Sequence, residues 1–156
     1  GADINGEAIG DYSGRNVSLS ADGSVVAIGA VYNDGNGTDS GHVRVYQNVS
    51  GVWIQIGTDI DGETAGDLSG VSVSLSTDGS VVAIGGWSND ANGTDSGHVR
   101  VYYWNAGLAE YTQRGSDIDG KAACDSFGYS VSLSNDGSIM AIGGRFNDGN
   151  GDDSGL

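Results

Sequence analysis

Proline is absent from these 156 residues, cysteine occurs once, and lysine and arginine together number six against 21 acidic residues. The lone Cys124 excludes an intrachain disulfide, and no repeated base accompanies it to make a catalytic thiol. The formal net charge of −15 argues against a nucleic-acid or anionic-membrane partner, because both select basic patches. It suits solubility at high salt, or divalent cations. No apolar run approaches the roughly 18 residues of a membrane span, so no membrane insertion is expected. No stretch carries a 3.6-residue apolar period, and 29 glycines leave little room for helix. The chain opens on Gly rather than Met and shows no leader-like segment, which points to a processed product or a fragment.

What the chain does contain is one sentence stated three times. Val25-Val26-Ala27-Ile28-Gly29-Ala30 returns as Val81 to Gly86 and again as Ile139 to Gly144. Each copy opens with a Ser-x-Asp-Gly-Ser turn (Ser20, Ser76, Ser134) and continues into an Asn-Asp-x-Asn-Gly loop (Asn33, Asn89, Asn147). The frame glycines Gly1, Gly57 and Gly115 are spaced by 56 and 58 residues. Periods on this scale mean supersecondary units that bury their apolar faces only against neighbours. The units are residues 1–57, 58–115 and 116–156. Cys124 falls where the other copies have Gly10 and Gly66, so the fold needs no thiol there.

Within a unit, Asn16 to Ser20 alternates apolar with small polar residues, as do Val71 to Ser76 and Tyr129 to Ser134. Val17 and Leu19 should face one way, Ser18 and Ser20 the other. The Asp-Gly turn predicts a hairpin into Val25–Ala30, a nearly continuous apolar strand expected to be covered on both faces. His42 to Tyr46 reads as a third strand, copied at His98 to Tyr102, and Trp53 to Ile56 as a fourth, matched by Tyr111 to Arg114. Trp53 and Tyr111 read as packing residues of that outer strand. Four antiparallel strands per unit of about 40–50 residues indicate propeller blades. The fold class is all-β, with about 2.7 four-stranded antiparallel blades; the third unit reaches only its first two strands. Closed propellers need at least about four blades, so this is an incomplete propeller or part of a larger assembly. Open sheet edges recruit further strands, which predicts a head-to-tail contact with other copies or further blades.

These residues resemble the FG-GAP repeat family, the blades of integrin α-subunit heads and of many secreted microbial proteins. Phe127-Gly128 carries the first half of the name, replaced by Ser13-Gly14 and Ser69-Gly70 in the other copies. Ile28-Gly29-Ala30, Ile84-Gly85-Gly86 and Ile142-Gly143-Gly144 carry the second, each without proline. Ser40 to Tyr46 is similar to that family's third strand. The resemblance implies an extracellular or cell-surface module, and it specifies the fold better than the function. Integrin-type blades cage calcium in a nine-residue acidic loop of the first hairpin. Here that hairpin is a five-residue turn, so the inference does not carry to it.

Two other acidic loops are candidate calcium sites. Asp59, Asp61, Glu63 and Asp67 alternate oxygen-bearing residues around Gly62, as a hard cation requires. Their counterparts are Asp3, Asn5, Glu7 and Asp11, then Asp117, Asp119, Lys121 and Asp125, where Lys121 sets a cation among the ligands. The competing reading is an ordinary Asp-Gly turn between blades. Asp34, Asn36 and Asp39 form the second loop, whose composition Asx side chains folded onto their own backbone explain equally. His42 and His98, at equivalent strand starts, read as structural. Repeat positions that differ between copies mark candidate ligand contacts: Val31, Trp87 and Arg145, with Trp87 placed to stack on a sugar ring. Four Asn-x-Ser/Thr sequons occur, at Asn16, Asn36, Asn48 and Asn92; Asn36 and Asn92 lie on exposed loops and are candidate glycan acceptors. The expected function is a non-enzymatic extracellular structural or adhesive module assembling with further blades or copies. The alternative is a lectin-like module binding carbohydrate or protein, with calcium as its cofactor. Turnover abolished at a single residue would instead indicate an enzyme.

Overall fold

The computed structural model describes residues 3–156; Gly1, the first frame glycine, lies outside them. No helix occurs among the described residues. The first blade is an antiparallel sheet in which β1 (Ser13–Leu19), β2 (Val25–Ala30), β3 (His42–Val49) and β4 (Val52–Gln55) follow in order. A two-residue strand, β5 (Ile60–Asp61), joins the N-terminal end of β3 beside β4. The second blade repeats the pattern with β6 (Ser72–Leu75), β7 (Val81–Gly86), β8 (His98–Asn105), β9 (Glu110–Gln113) and β10 (Ile118–Asp119). The third is the hairpin β11 (Phe127–Leu133) and β12 (Met140–Gly144). The molecule is all-β, an open stack of antiparallel propeller blades.

The strands expected from sequence are present, with ends shifted by one to three residues. β5 and β10 are strands where the residues read as blade-to-blade turns. They form because β4 pairs only with the C-terminal half of β3, leaving His42 and Val43 without outer partners. Buried backbone groups must be paired. The opening segment of the following repeat supplies the bonds, and Ile60 sinks into the core as it does so.

Alternation along the strands gives each hairpin two different faces. In blade 2, Val73, Leu75, Val82 and Ile84 look back toward blade 1 and are at most 7% exposed. The opposite face presents Ser72, Ser74 and Ala83, small enough for the next blade to press close. Hydrogen bonds fix this order: Asn16 Oδ1 accepts from Val73 N at 3.1 Å, and Ser18 Oγ from Leu75 N at 2.9 Å. Ser74 Oγ repeats the device one blade later, accepting from Leu133 N at 3.0 Å. The core accordingly lies between blades 1 and 2, where Val25, Ala27, Val43 and Val45 meet Val73, Leu75, Val82 and Ile84. All six residues of β7 are buried. In β2 Val26 and Ile28 are only partly covered, which corrects the expectation that Val25–Ala30 is enclosed on both faces, and β12 is covered less completely still.

Glycine is required at two places. Gly14, Gly70 and Gly128 take φ of +89°, +89° and +84°, a region closed to most side chains. The residue before that glycine therefore varies between Ser and Phe while the glycine does not. Gly29 and Gly85 sit where the backbone of the next blade crosses; a Cβ there would collide with the carbonyl oxygens of Gly70 and Gly128.

Candidate functional site

His42 opens β3 and pairs across the ladder with Asp61 of β5. Its side chain is 1% exposed, yet its Nδ1 faces a ring of carboxylates. Glu7 Oε2 lies at 3.9 Å, Asp59 Oδ2 at 3.8 Å and Asp61 Oδ1 at 4.0 Å. One repeat later His98, also 1% exposed, sets its Nδ1 3.8 Å from Glu63 Oε2 and 4.0 Å from Asp117 Oδ2. Asp119 holds the place of Asp61, paired across the ladder with His98. Each cluster combines the opening loop of one repeat, its third strand, and the opening segment of the next.

An arginine two residues along each third strand borders the cluster. Arg44 donates to Asn5 O at 2.8 Å, reaches Glu7 Oε1 at 3.6 Å, and lies over the Tyr46 ring at 5.7 Å. Arg100 donates to Asp61 O at 2.6 Å and lies 5.6 Å from the Tyr102 ring centre. Burial holds both imidazoles below the usual histidine pKa of 6.5, more than the nearby carboxylates raise them, so both are neutral near pH 7. Burial, then the neighbouring Asp117, pushes the Glu63 carboxyl up. No hydrogen bond reaches His98 Nδ1 or Nε2, His42 Nε2 or Asp119 Oδ1, although all are buried.

The first acidic loop is thus not a single ligand set. Asp59 and Asp61 belong with His42, Glu63 belongs with His98, and Asp67 belongs to neither. Asp67 is 1% exposed and fully used: it accepts from Glu63 N, Thr64 N, Thr64 Oγ1 and Asn89 Nδ2. Asp11 plays the same part for Ala8 N and Asn33 Nδ2. In the second loop, Asp34 Oδ1 accepts from Asp39 N at 2.9 Å, and Asp39 takes a left-handed φ of +54° that Asp tolerates well. Asn36 Nδ2 donates to Gly62 O and Glu63 O, both at 2.8 Å, and Asn92 Nδ2 to Gly120 O at 2.9 Å. A glycan on Asn36 would have to break one of two bonds that join the repeats, which counts against Asn36 as an acceptor.

The five-residue hairpin turns are also spoken for. Asp22 Oδ1 accepts from Ser20 Oγ, Ser24 N and Ser24 Oγ, bonds that hold its pKa at about 2. The turn leaves too few oxygens for the six to eight a calcium ion takes, so the calcium of integrin-type blades does not fit here.

Of the divergent positions, Val31 is 3% exposed and so offers almost no surface to a ligand, against the expectation from its variability. Trp87 is half-buried. Arg145 is exposed and stacks on Phe146 and Tyr129, 4.8 and 5.3 Å from their ring centres. A cleft of about 470 Å3 opens beside it, lined by Tyr129, Ser130, Gly143, Gly155 and Leu156. The equivalent space in blade 2, at Ser72, Gly85 and Gly97, is filled by Phe127 and Gly128 of the next blade. The two histidines are the functional candidates that sequence reasoning set aside. One signal marks them: the copy with Leu156 at the histidine position is also the copy with Lys121 at the glutamate position.

Residues 5–46 and 117–156, a little over half of the chain, match the model of the FG-GAP repeat. Such repeats are generally non-enzymatic and typically extracellular. No curated protein matches the chain.

Proposed function

The chain belongs to the FG-GAP repeat family, and from that premise we propose that it is a non-enzymatic extracellular structural or adhesive module. It assembles through its two end faces with further blades or other copies of itself. One observation carries this reading. Val73 and Leu75 are each 7% exposed, whereas Val17 and Leu19, the same positions in blade 1, are 59% and 57% exposed. At the other end Ser130 and Ser132, counterparts of Ser72 and Ser74, lie open beside the cleft at Tyr129. The apolar face of blade 1 and the small-residue face of blade 3 are the two halves of a junction used twice inside the molecule. Such a contact is head-to-tail and extends an array. Sedimentation velocity tests it: species heavier than the monomer should appear with rising concentration and vanish in Ser130→Trp, which plugs the socket. A monomer at every concentration overturns the assembly claim.

A second reading, a lectin-like module binding carbohydrate or protein, draws on Trp87 and on the Arg145–Tyr129–Phe146 stack beside the cleft. Aromatic faces with a guanidinium suit sugar rings. A glycan array separates the two, since a scaffold shows no sugar preference.

A further inference from the structure

We propose that the two repeat junctions are binding sites for a divalent transition-metal ion of the zinc class, ligated by His42 with Glu7 and Asp59, and by His98 with Glu63 and Asp117. In each group one nitrogen and two carboxylate oxygens lie within 4.8 Å of one another. The Nδ1-to-oxygen separations of 3.8–4.0 Å are too long for hydrogen bonds. They are close to the span of two ligands on one ion: tetrahedral bonds of about 2.0–2.1 Å put ligand atoms roughly 3.3 Å apart. Rotation of the exposed glutamate, with a smaller rotation of the partly exposed aspartate, would close the difference.

An unfilled cluster is costly in this chain. His98 Nδ1 is buried, aimed at the carboxylates, and has no hydrogen-bond partner. Asp119 Oδ1, from the residue paired with His98 across the ladder, is equally buried and equally alone. Buried polar atoms without partners are rare, and a bound ion is one of the few things that accounts for them. Charge points the same way. Glu7, Asp59 and Asp61 face one guanidinium, that of Arg44, so two negative charges are unmatched around a buried imidazole. A dication balances them.

The donor set selects the metal. Calcium and magnesium prefer all-oxygen shells, whereas an imidazole nitrogen among carboxylates suits zinc and its neighbours. The third copy serves as an internal control. It has lost the histidine to Leu156 and the glutamate to Lys121, whose ammonium would repel a cation. Both ligands are gone from the same copy. An ion at each junction would tie the opening loop of one repeat, its third strand and the next repeat together.

Titration calorimetry of the metal-stripped chain with Zn2+ is expected to give two ions per chain, with Ca2+ in tenfold excess failing to compete. Glu7→Gln and Glu63→Gln change side chains that are 44% and 42% exposed and should fold normally. Each should bind one ion, and the double variant none. Co2+ should give visible absorption bands of four-coordinate intensity that halve in each single variant. Absence of saturable Zn2+ binding overturns the proposal, as does an unchanged stoichiometry in both variants. Displacement of Zn2+ by Ca2+ overturns the choice of metal.

Discussion

Blades 1 and 2 share sequence, strand order and register, and differ chiefly in what stands beside them. Val82 and Ile84 are 0% and 1% exposed in the middle blade, while Val26 and Ile28 of blade 1 are only partly covered. Leu75 is buried and Leu19 is not. The same residues thus stabilise in one place and lie exposed in the other. Burial here belongs to the junction and not to the blade, as the nearest-neighbour energetics of repeat proteins require. Blade 3 shows the reverse asymmetry, its rear face partly covered and its front face, Ser130, Ser132 and Ala141, open to solvent.

Four measurements break or sharpen this contrast. The largest effect belongs to the glycines under the crossing backbone. Gly85→Val places a side chain against the Gly128 carbonyl and should cost about 4 kcal/mol or more in urea denaturation. Gly143→Val meets chiefly the movable Ser130 side chain and should cost far less. Next come the core leucines: Leu75→Ala is expected to lose about 3 kcal/mol and Leu19→Ala under about 1. Equal losses at the two leucines would show that blade 1 is covered in solution. Asn36→Ala removes two bonds to the next repeat and should cost about 1 kcal/mol. Asn150→Ala removes no such side-chain bond among the described residues and should be neutral.

The smallest effect is one in which the blades should not differ. Serine hydrogen bonds hold Asp22 and Asp136 at about 2, below the ordinary 3.8, and lower Asp78 as well. Because the folded values are depressed, the contribution of these turns is full above pH 3.8 and is lost as the pH falls toward 2. Carboxyl chemical shifts should show Asp22 and Asp136 titrating together near 2, and Ser24→Ala should move Asp22 alone upward.

Much of the fold was legible because its signals are local. Alternation at Val17–Leu19, the Asp-Gly reversal at Asp22-Gly23 and the apolar run Val25–Ala30 each act within a few residues, and the hairpin follows. β5 was not legible: Ile60 and Asp61 have no periodicity, and they pair only because β4 stops short. The candidate site was half legible. Asp59, Asp61 and Glu63 stood out as acidic, but their division between two clusters depends on His42 and His98, which approach from other elements. Val31 looked like a variable tip residue, and only packing showed it buried.

From the sequence alone came the repeat, the strands and the backward- and forward-facing residues, because side-chain periodicity and turn chemistry are properties of a short stretch of chain. Tertiary structure alone decided which of those faces is covered and which carboxylate meets which histidine. Both depend on how one blade sits on the next, and that is set by close backbone crossings such as Gly85 under Gly128, which no local pattern encodes.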